Sequence, residues 1–424
     1  MFLWWPLWWG RGKLQQRHNL TRLKQDKIAS KACVSTRGRL LSSLGSLHIK
    51  AIALRIWYPP PSICPTLGYP LDTMAPSKIV DSHIHLWPQS ASNENGHTWM
   101  TPGMPLAKQH ILSDYYRASK QDSKDSGNIE VDGVVYVETD RRYSAPSGDL
   151  AHWAENPLDE VKFVRRIVEG QYGERDSRML RGIVLWAPMN QSPETLRQWL
   201  GLVEEIAGDA TWKRVKGFRF LLQAIHDQEE FGKLVLGEDF AANLKILGER
   251  GFSFDLGVDQ HSGGPWQLEL VYTAMQQAHE GVSEEQKVCF IVNHLCKPDF
   301  SNVTTPSHGD VDYYRWTQSI EKMSHMTNTY MKLSGAFSEL PERPTATTDV
   351  AAQIKPWVQQ ALKHFGPARV MFGSDWPVCN VNGPEDDSPW VLWTSTVEEL
   401  LNDLITDTEQ ERVWSGTAIE AYRL

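Results

Sequence analysis

The stretch "VDSHIHLW" at residues 80–87 sets Asp81, His83 and His85 at alternate positions. Residues two apart on a strand face the same way, so an extended reading points all three to one side. Two imidazoles so placed near a strand end are spaced to share one divalent ion. Two further residues of ligand type close other apolar runs: His294 in "VNHLCKPD" and Asp375 in "MFGSDWPV". A carboxylate at the end of a buried strand is costly to desolvate unless something pairs with it. Asp375 therefore either caps the turn that follows or touches a metal or a water.

These residues need a frame that brings strand ends together. From residue 77 the chain repeats one unit, a short apolar β-branched run followed by a helical period. The runs are 78–87, 131–140, 181–189, 215–223, 253–259, 287–295, 329–335 and 368–377. Near-continuous apolar runs suit parallel strands buried on both faces. The intervening helices carry their own signals. Ser192 and Pro193 suit an N-cap and a first turn, Leu196, Trp199, Leu200, Val203 and Ile206 make one apolar stripe, and Gly208 can end it. Asn156 and Pro157 open a second such helix, with Val161, Val164, Ile167 and Val168 on its stripe. Eight strands alternating with helices predict an α/β fold, a (β/α)8 TIM barrel with loop insertions, notably over 88–129. No Gly-rich phosphate loop follows the first strand, which argues against a dinucleotide-binding sheet. In a barrel the active site lies at the C-terminal ends of the strands.

Charge divides the chain. Residues 1–73 hold 11 Lys and Arg against 2 Asp and Glu, while the remainder holds 32 against 50. An acidic body argues against nucleic acid or an anionic membrane as the main partner. The first 73 residues are read as a leader outside the fold, either a gene-model extension with Met74 as the true start or a targeting segment. "MFLWWPLWWG" is too short to span a bilayer, and the stretch after it has the acid-poor, Arg/Lys- and Ser-containing composition of a mitochondrial transit peptide. Residues 74–424 are read as one barrel domain. Five cysteines without a CxxC pair point to a reducing compartment, so the expected location is cytoplasmic, or mitochondrial if the leader is a transit segment.

Beyond these readings, the chain resembles the lactonase branch of the amidohydrolase superfamily. The resemblance rests on "VDSHIHLW", "GFRF" (217–220), "NHLCKPD" (293–299), "KLSG" (332–335), "FGPARVMFGSDWPV" (365–378) and "GTAIEAYRL" (416–424), and spans about residues 77–424. It implies that His83 and His85 serve metal or substrate, that His294 is the strand-six histidine and Asp375 the catalytic aspartate, and that Arg219 holds substrate oxygens. "VETDRRY" sets Glu138, Arg141 and Arg142 near the rim after strand two, in the manner of the rhamnono-lactonase type. Asn293 and Cys296 depart from the "DHLGKP" that relatives often carry. His261, after strand five in "DQHSGG", either completes a metal set with His83, His85, Asp375 and Glu138 or meets only solvent. Trp87 and Trp376 are either packing residues or a platform for a sugar ring.

The implied activity is hydrolysis of a sugar-acid lactone, a small-molecule substrate, with Asp375 as general acid and base and His294 at the oxyanion. The implied cofactor is a divalent metal, Zn2+ in the first instance, although metal dependence varies in this branch. Two rivals stand beside it. One is a zinc-dependent decarboxylase of the same superfamily, which needs His261 in the donor set. The other is a binding protein that keeps the barrel without the chemistry. The oligomeric state is not legible.

Overall fold

The structure is a computed structural model that describes residues 78–122, 129–302, 310–344, 346–383 and 389–424. The reading of residues 1–73 as a leader lies outside the described residues. Eight strands alternate with helices: β1 (Lys78–Ile84), β2 (Glu130–Val137), β3 (Leu180–Trp186), β4 (Val215–Arg219), β5 (Ser253–Leu256), β6 (Cys289–Val292), β7 (Thr329–Leu333) and β8 (Val370–Phe372). They form one sheet in chain order, and every neighbouring pair is parallel. Between β8 and β1 the chain closes through a bridge of Ile84 to Trp376. There the His85 N–H donates to the Trp376 carbonyl at 2.7 Å, and the Asp375 N–H donates to the His83 carbonyl at 2.9 Å. This is the (β/α)8 barrel that the strand count predicted, nearly closed, with the closing bonds made by the candidate site residues.

Six of the apolar runs contain their strand whole, β2 and β3 begin one residue ahead of theirs, and each strand stops short of the end of its run. The residues beyond the strand form the rim, which is where the polar groups stand. Outward-facing Ile79, Ile84, Tyr136, Phe218, Phe254, Phe290 and Leu333 join the main core under the helices. Inward-facing Val80, Val135, Val137, Val184, Ile291 and Met371 fill the barrel, and Ala418, Ala421 and Tyr422 of the helix Thr417–Tyr422 pack against them. The helix Pro193–Trp212 starts as read, with the Ser192 hydroxyl accepting the Thr195 N–H at 3.3 Å. Gly208 does not end it but kinks it, at φ 67°. Its stripe of Leu196, Trp199, Leu200 and Val203 is buried, each side chain contributing about 1.5–3 kcal/mol.

One expectation is corrected at β1. Asp81 does not share a face with His83 and His85. The pairing of β1 with β2 slips between Asp81 and Ile84, an irregularity that breaks strict alternation. Asp81 turns outward to Tyr115 and Trp390, while His83 turns inward to Lys332. Among the described residues no helix is long and apolar enough to cross a membrane.

Candidate active site

The rim gathers four side chains from three strand ends. His83 and His85 come from β1, His294 follows β6 and Asp375 follows β8. The His83 and His85 Nε2 atoms lie 3.2 Å apart. Asp375 Oδ1 lies 3.4 Å from His85 Nε2, 3.6 Å from His83 Nε2 and 3.9 Å from His294 Nε2. All four side chains are more than nine-tenths buried.

Local backbone geometry aims them. Asp375 has a φ of 58°, a left-handed conformation that aspartate tolerates better than most residues. Its carbonyl, not its carboxylate, receives the Cys379 N–H, so the side chain is not spent capping the turn. After β6 four residues in succession, His294 to Lys297, have φ between 47° and 63°. Each such non-glycine residue costs about 1–3 kcal/mol and persists only where the surroundings hold it. The turn carries His294 over the barrel mouth and sends Lys297 to Glu339 at 2.9 Å. Gly335 of "KLSG" makes room for this. A Cβ there would lie 2.6 Å from His294 Nδ1, and its φ is +64°.

Each imidazole is held from behind. His85 Nδ1 donates to the Val137 carbonyl at 2.8 Å, which turns its Nε2 toward Asp375. His294 Nδ1 lies 2.8 Å from Ser334 Oγ. His83 Nδ1 lies 3.1 Å from Lys332 Nζ. Burial drives the His294 pKa down to about 4 against the pull of Asp375, and burial with the Lys332 charge keeps His83 well below the ordinary histidine value. Burial pushes the Asp375 carboxyl up, but His294, the hydrogen bond from His85 and the Lys297 ammonium together hold it below the ordinary carboxylate value. The site therefore pairs an ionised carboxylate with the neutral imidazoles of His83 and His294 at neutral pH.

The other sequence candidates are placed elsewhere. Glu138 and Arg219 form a buried ion pair, and Arg219 Nη2 also donates to the Glu138 carbonyl at 2.6 Å. Neither belongs to the group of donor atoms around Asp375. Beside them, burial and the Glu138 charge raise Asp140 to about 7. Arg141 is buried with Nε unpaired, and its charge acts on Glu160 and His97. Arg142 is exposed and donates to the Glu94 carbonyl at 3.2 Å. His261 gives its Nδ1 to Glu339 at 2.9 Å, a bond that raises its pKa. The structure does not bring it to the imidazole group. Trp87 and Trp376 are 1% and 2% exposed. They pack against His110, and Trp87 Nε1 donates to the Lys108 carbonyl. Neither ring offers an open face.

Sequence reasoning passed over Asp255 and Lys332, although a signal was present. Each is a lone charge inside an otherwise apolar strand, and the two are opposite in sign. In the barrel they pair at 2.7 Å, both fully buried.

His83, His294 and Asp375 form the one cluster of metal-ligand type found among the described residues. A tetrahedral zinc with ligands at about 2.1 Å needs donor atoms about 3.4 Å apart. Asp375 Oδ1 stands 3.6 Å from His83 Nε2 and 3.9 Å from His294 Nε2, near that requirement, and His85 Nε2 adjoins the set at 3.4 Å from the same oxygen.

A family model for amidohydrolases matches residues 80–424. An L-rhamnono-gamma-lactonase from Scheffersomyces stipitis is 28% identical over 363 residues, which cover 83% of this chain and all of the relative. An L-fucono-1,5-lactonase from Burkholderia multivorans is 23% identical, covering 81% of this chain and 96% of the relative. Two solved structures of an amidohydrolase from Burkholderia multivorans, one with bound HEPES and one with bound zinc, superpose with TM-scores of 0.60 and 0.59. Each is 22% identical and covers 82% of this chain and 99% of its own, a likeness of fold.

Proposed function

The chain belongs to the amidohydrolase family, and on that premise we propose that it hydrolyses a sugar-acid lactone, in the manner of an L-rhamnono-1,4-lactone. The observation that carries the reading is Asp375, an ionised carboxylate 3.4–3.9 Å from three imidazoles at the strand-end face of the barrel. The lactone names of the curated relatives support the substrate class.

Asp375 takes a proton from water as that water adds to the lactone carbonyl carbon. The carbonyl oxygen becomes an oxyanion, which N–H donors of the imidazole group stabilise. Collapse of the adduct breaks the bond to the ring oxygen. Asp375 returns its proton to that leaving alkoxide, so the carboxylate is restored and no redox partner is needed. A divalent ion, zinc by preference, would be held by His83, His294 and Asp375 with His85 adjoining, and would supply Lewis-acid polarisation of the carbonyl. Arg219, Arg141 and the nearby Asp140 stand on the β2 and β4 side, where the oxygens of a polyhydroxylated substrate would lie.

The decarboxylase alternative needs His261 in the donor set, and His261 is engaged with Glu339 instead. Hydrolysis of a panel of aldonolactones, followed by proton release, tests the proposal, with carbon dioxide release from aromatic acids measured in parallel. Turnover of a sugar lactone that is lost in Asp375→Asn supports it. A panel with no turnover under zinc-replete and chelated conditions would overturn it.

A further inference from the structure

Below the imidazole group a buried polar chain runs to the C-terminal helix. Tyr422 Oη lies 2.9 and 2.8 Å from the two carboxylate oxygens of Asp255. Asp255 Oδ2 accepts from Lys332 Nζ at 2.7 Å, and the same Nζ lies 3.1 Å from His83 Nδ1. Asp255, Lys332, Tyr422 and His83 are all 0% exposed. An ammonium group has donors only. Facing one, His83 Nδ1 must accept, so the proton of a neutral His83 sits on Nε2. Beyond His83, His85 Nδ1 donates to the Val137 carbonyl, and its Nε2 stands 3.2 Å from His83 Nε2 and 3.4 Å from Asp375 Oδ1.

We propose that Lys332, anchored by Asp255 and Tyr422, is a positioning residue that fixes the tautomer of His83, so that His83 presents an N–H rather than a lone pair to the reaction space. A metal-bound histidine ordinarily gives its other ring N–H to a carboxylate or carbonyl, and such partners change metal affinity about 10–100-fold. His85 has a partner of that kind, whereas His83 faces a cation. The grip of the group on a divalent ion is therefore held down by Lys332, because His83 joins the donor set only by moving its proton from Nε2 to Nδ1, where it would face the ammonium. The inference deepens the reading of this site as hydrolytic, but its test needs no substrate.

The test uses full-length protein labelled with 15N-histidine and stripped of metal. Two-bond 1H–15N correlations report the tautomer, and the His83 signals are assigned by their loss in His83→Gln. The parent is expected to show Nε2–H for His83. In Lys332→Gln the amide can donate to Asp255 and accept from His83, so the tautomer should switch to Nδ1–H. Zn2+ should then bind about 10–100-fold tighter by competition with a chromophoric chelator. An Nδ1–H signal for His83 in the parent overturns the proposal, as does unchanged Zn2+ affinity in a folded Lys332→Gln protein. If that variant does not fold, the parent spectrum alone decides. Failure of the lactone panel leaves these readouts unaffected, so the two readings fail separately.

Discussion

The Asp81 carboxylate accepts the backbone N–H of Ser374 at 2.8 Å, and this bond ties β1 to the turn that carries Asp375. Tyr115 Oη and Trp390 Nε1 donate to the other carboxylate oxygen at 2.9 and 3.1 Å. Burial raises the Asp81 pKa, and these donors work against the rise. Asp81 thus holds the reacting groups in place from behind. Its replacement by asparagine turns one acceptor into a donor facing other donors. A loss of about 1.5–3 kcal/mol in urea unfolding is expected, because hydrogen bonds to a charged group are the strong ones. A stability equal to the parent would show that the clip is dispensable.

Asp375→Asn keeps the shape of the side chain and removes the base. The expected loss is about 10²–10⁴-fold in kcat with KM little changed. In the parent the Asp375 pKa lies below its ordinary 3.8, so the acidic limb of kcat/KM should fall below about pH 4. That limb should vanish in the variant. A near-parent kcat with the limb intact would return Asp375 to the role of a turn residue.

Arg219→Met reads differently from a simple loss of substrate contact. It leaves Glu138 buried and unpaired, which costs about 3–5 kcal/mol. The single variant should lose stability first. The double variant Glu138→Gln with Arg219→Met should regain most of it. Any KM effect is best measured there, by comparing denaturation midpoints and kinetics of the three proteins.

Acid should destabilise the fold through its buried histidines. Burial lowers His97 to about 3, and lowers His110 and His294 to about 4, against 6.5 when unfolded. Between pH 6.5 and about 4 the unfolded chain binds protons that the folded chain refuses, so stability falls with pH. The slope is about 1.4 kcal/mol per pH unit for each histidine once its unfolded form is protonated. His110 packs against Trp87 and Trp376 with Nε2 unpaired. His110→Phe should preserve the packing and reduce the slope by about one histidine's share. An unaltered slope in pH-dependent unfolding would remove His110 from this account.

Gly335→Ala should spare the barrel and harm the site. The added methyl would meet His294 Nδ1, and the φ of +64° is costly for alanine by about 1–3 kcal/mol. A lowered kcat with near-native circular dichroism is expected. Parent-level turnover would mean that His294 tolerates displacement.

The frame and the residues at its rim are legible in the chain itself. Apolar runs of strand length, spaced by helical periods, admit few arrangements other than a parallel barrel, because each strand must be buried on both faces. The same runs end in His83, His85, His294 and Asp375, and chain order alone brings parallel strand ends to one rim. Tertiary structure decided the pairing and the facing. The slip in register at β1 turned Asp81 from the histidine side to the helices, and no local pattern announces such a slip. Glu138 and Arg219 were legible as rim charges but not as partners, and His261 was legible as a candidate ligand but not as the partner of Glu339. Asp255, Lys332 and Tyr422 stand on β5, β7 and the last helix, and they meet only because the closed barrel brings their inner faces together. Side-chain partners so far apart in the chain are fixed by register and closure, which are properties of the whole sheet rather than of any segment of it.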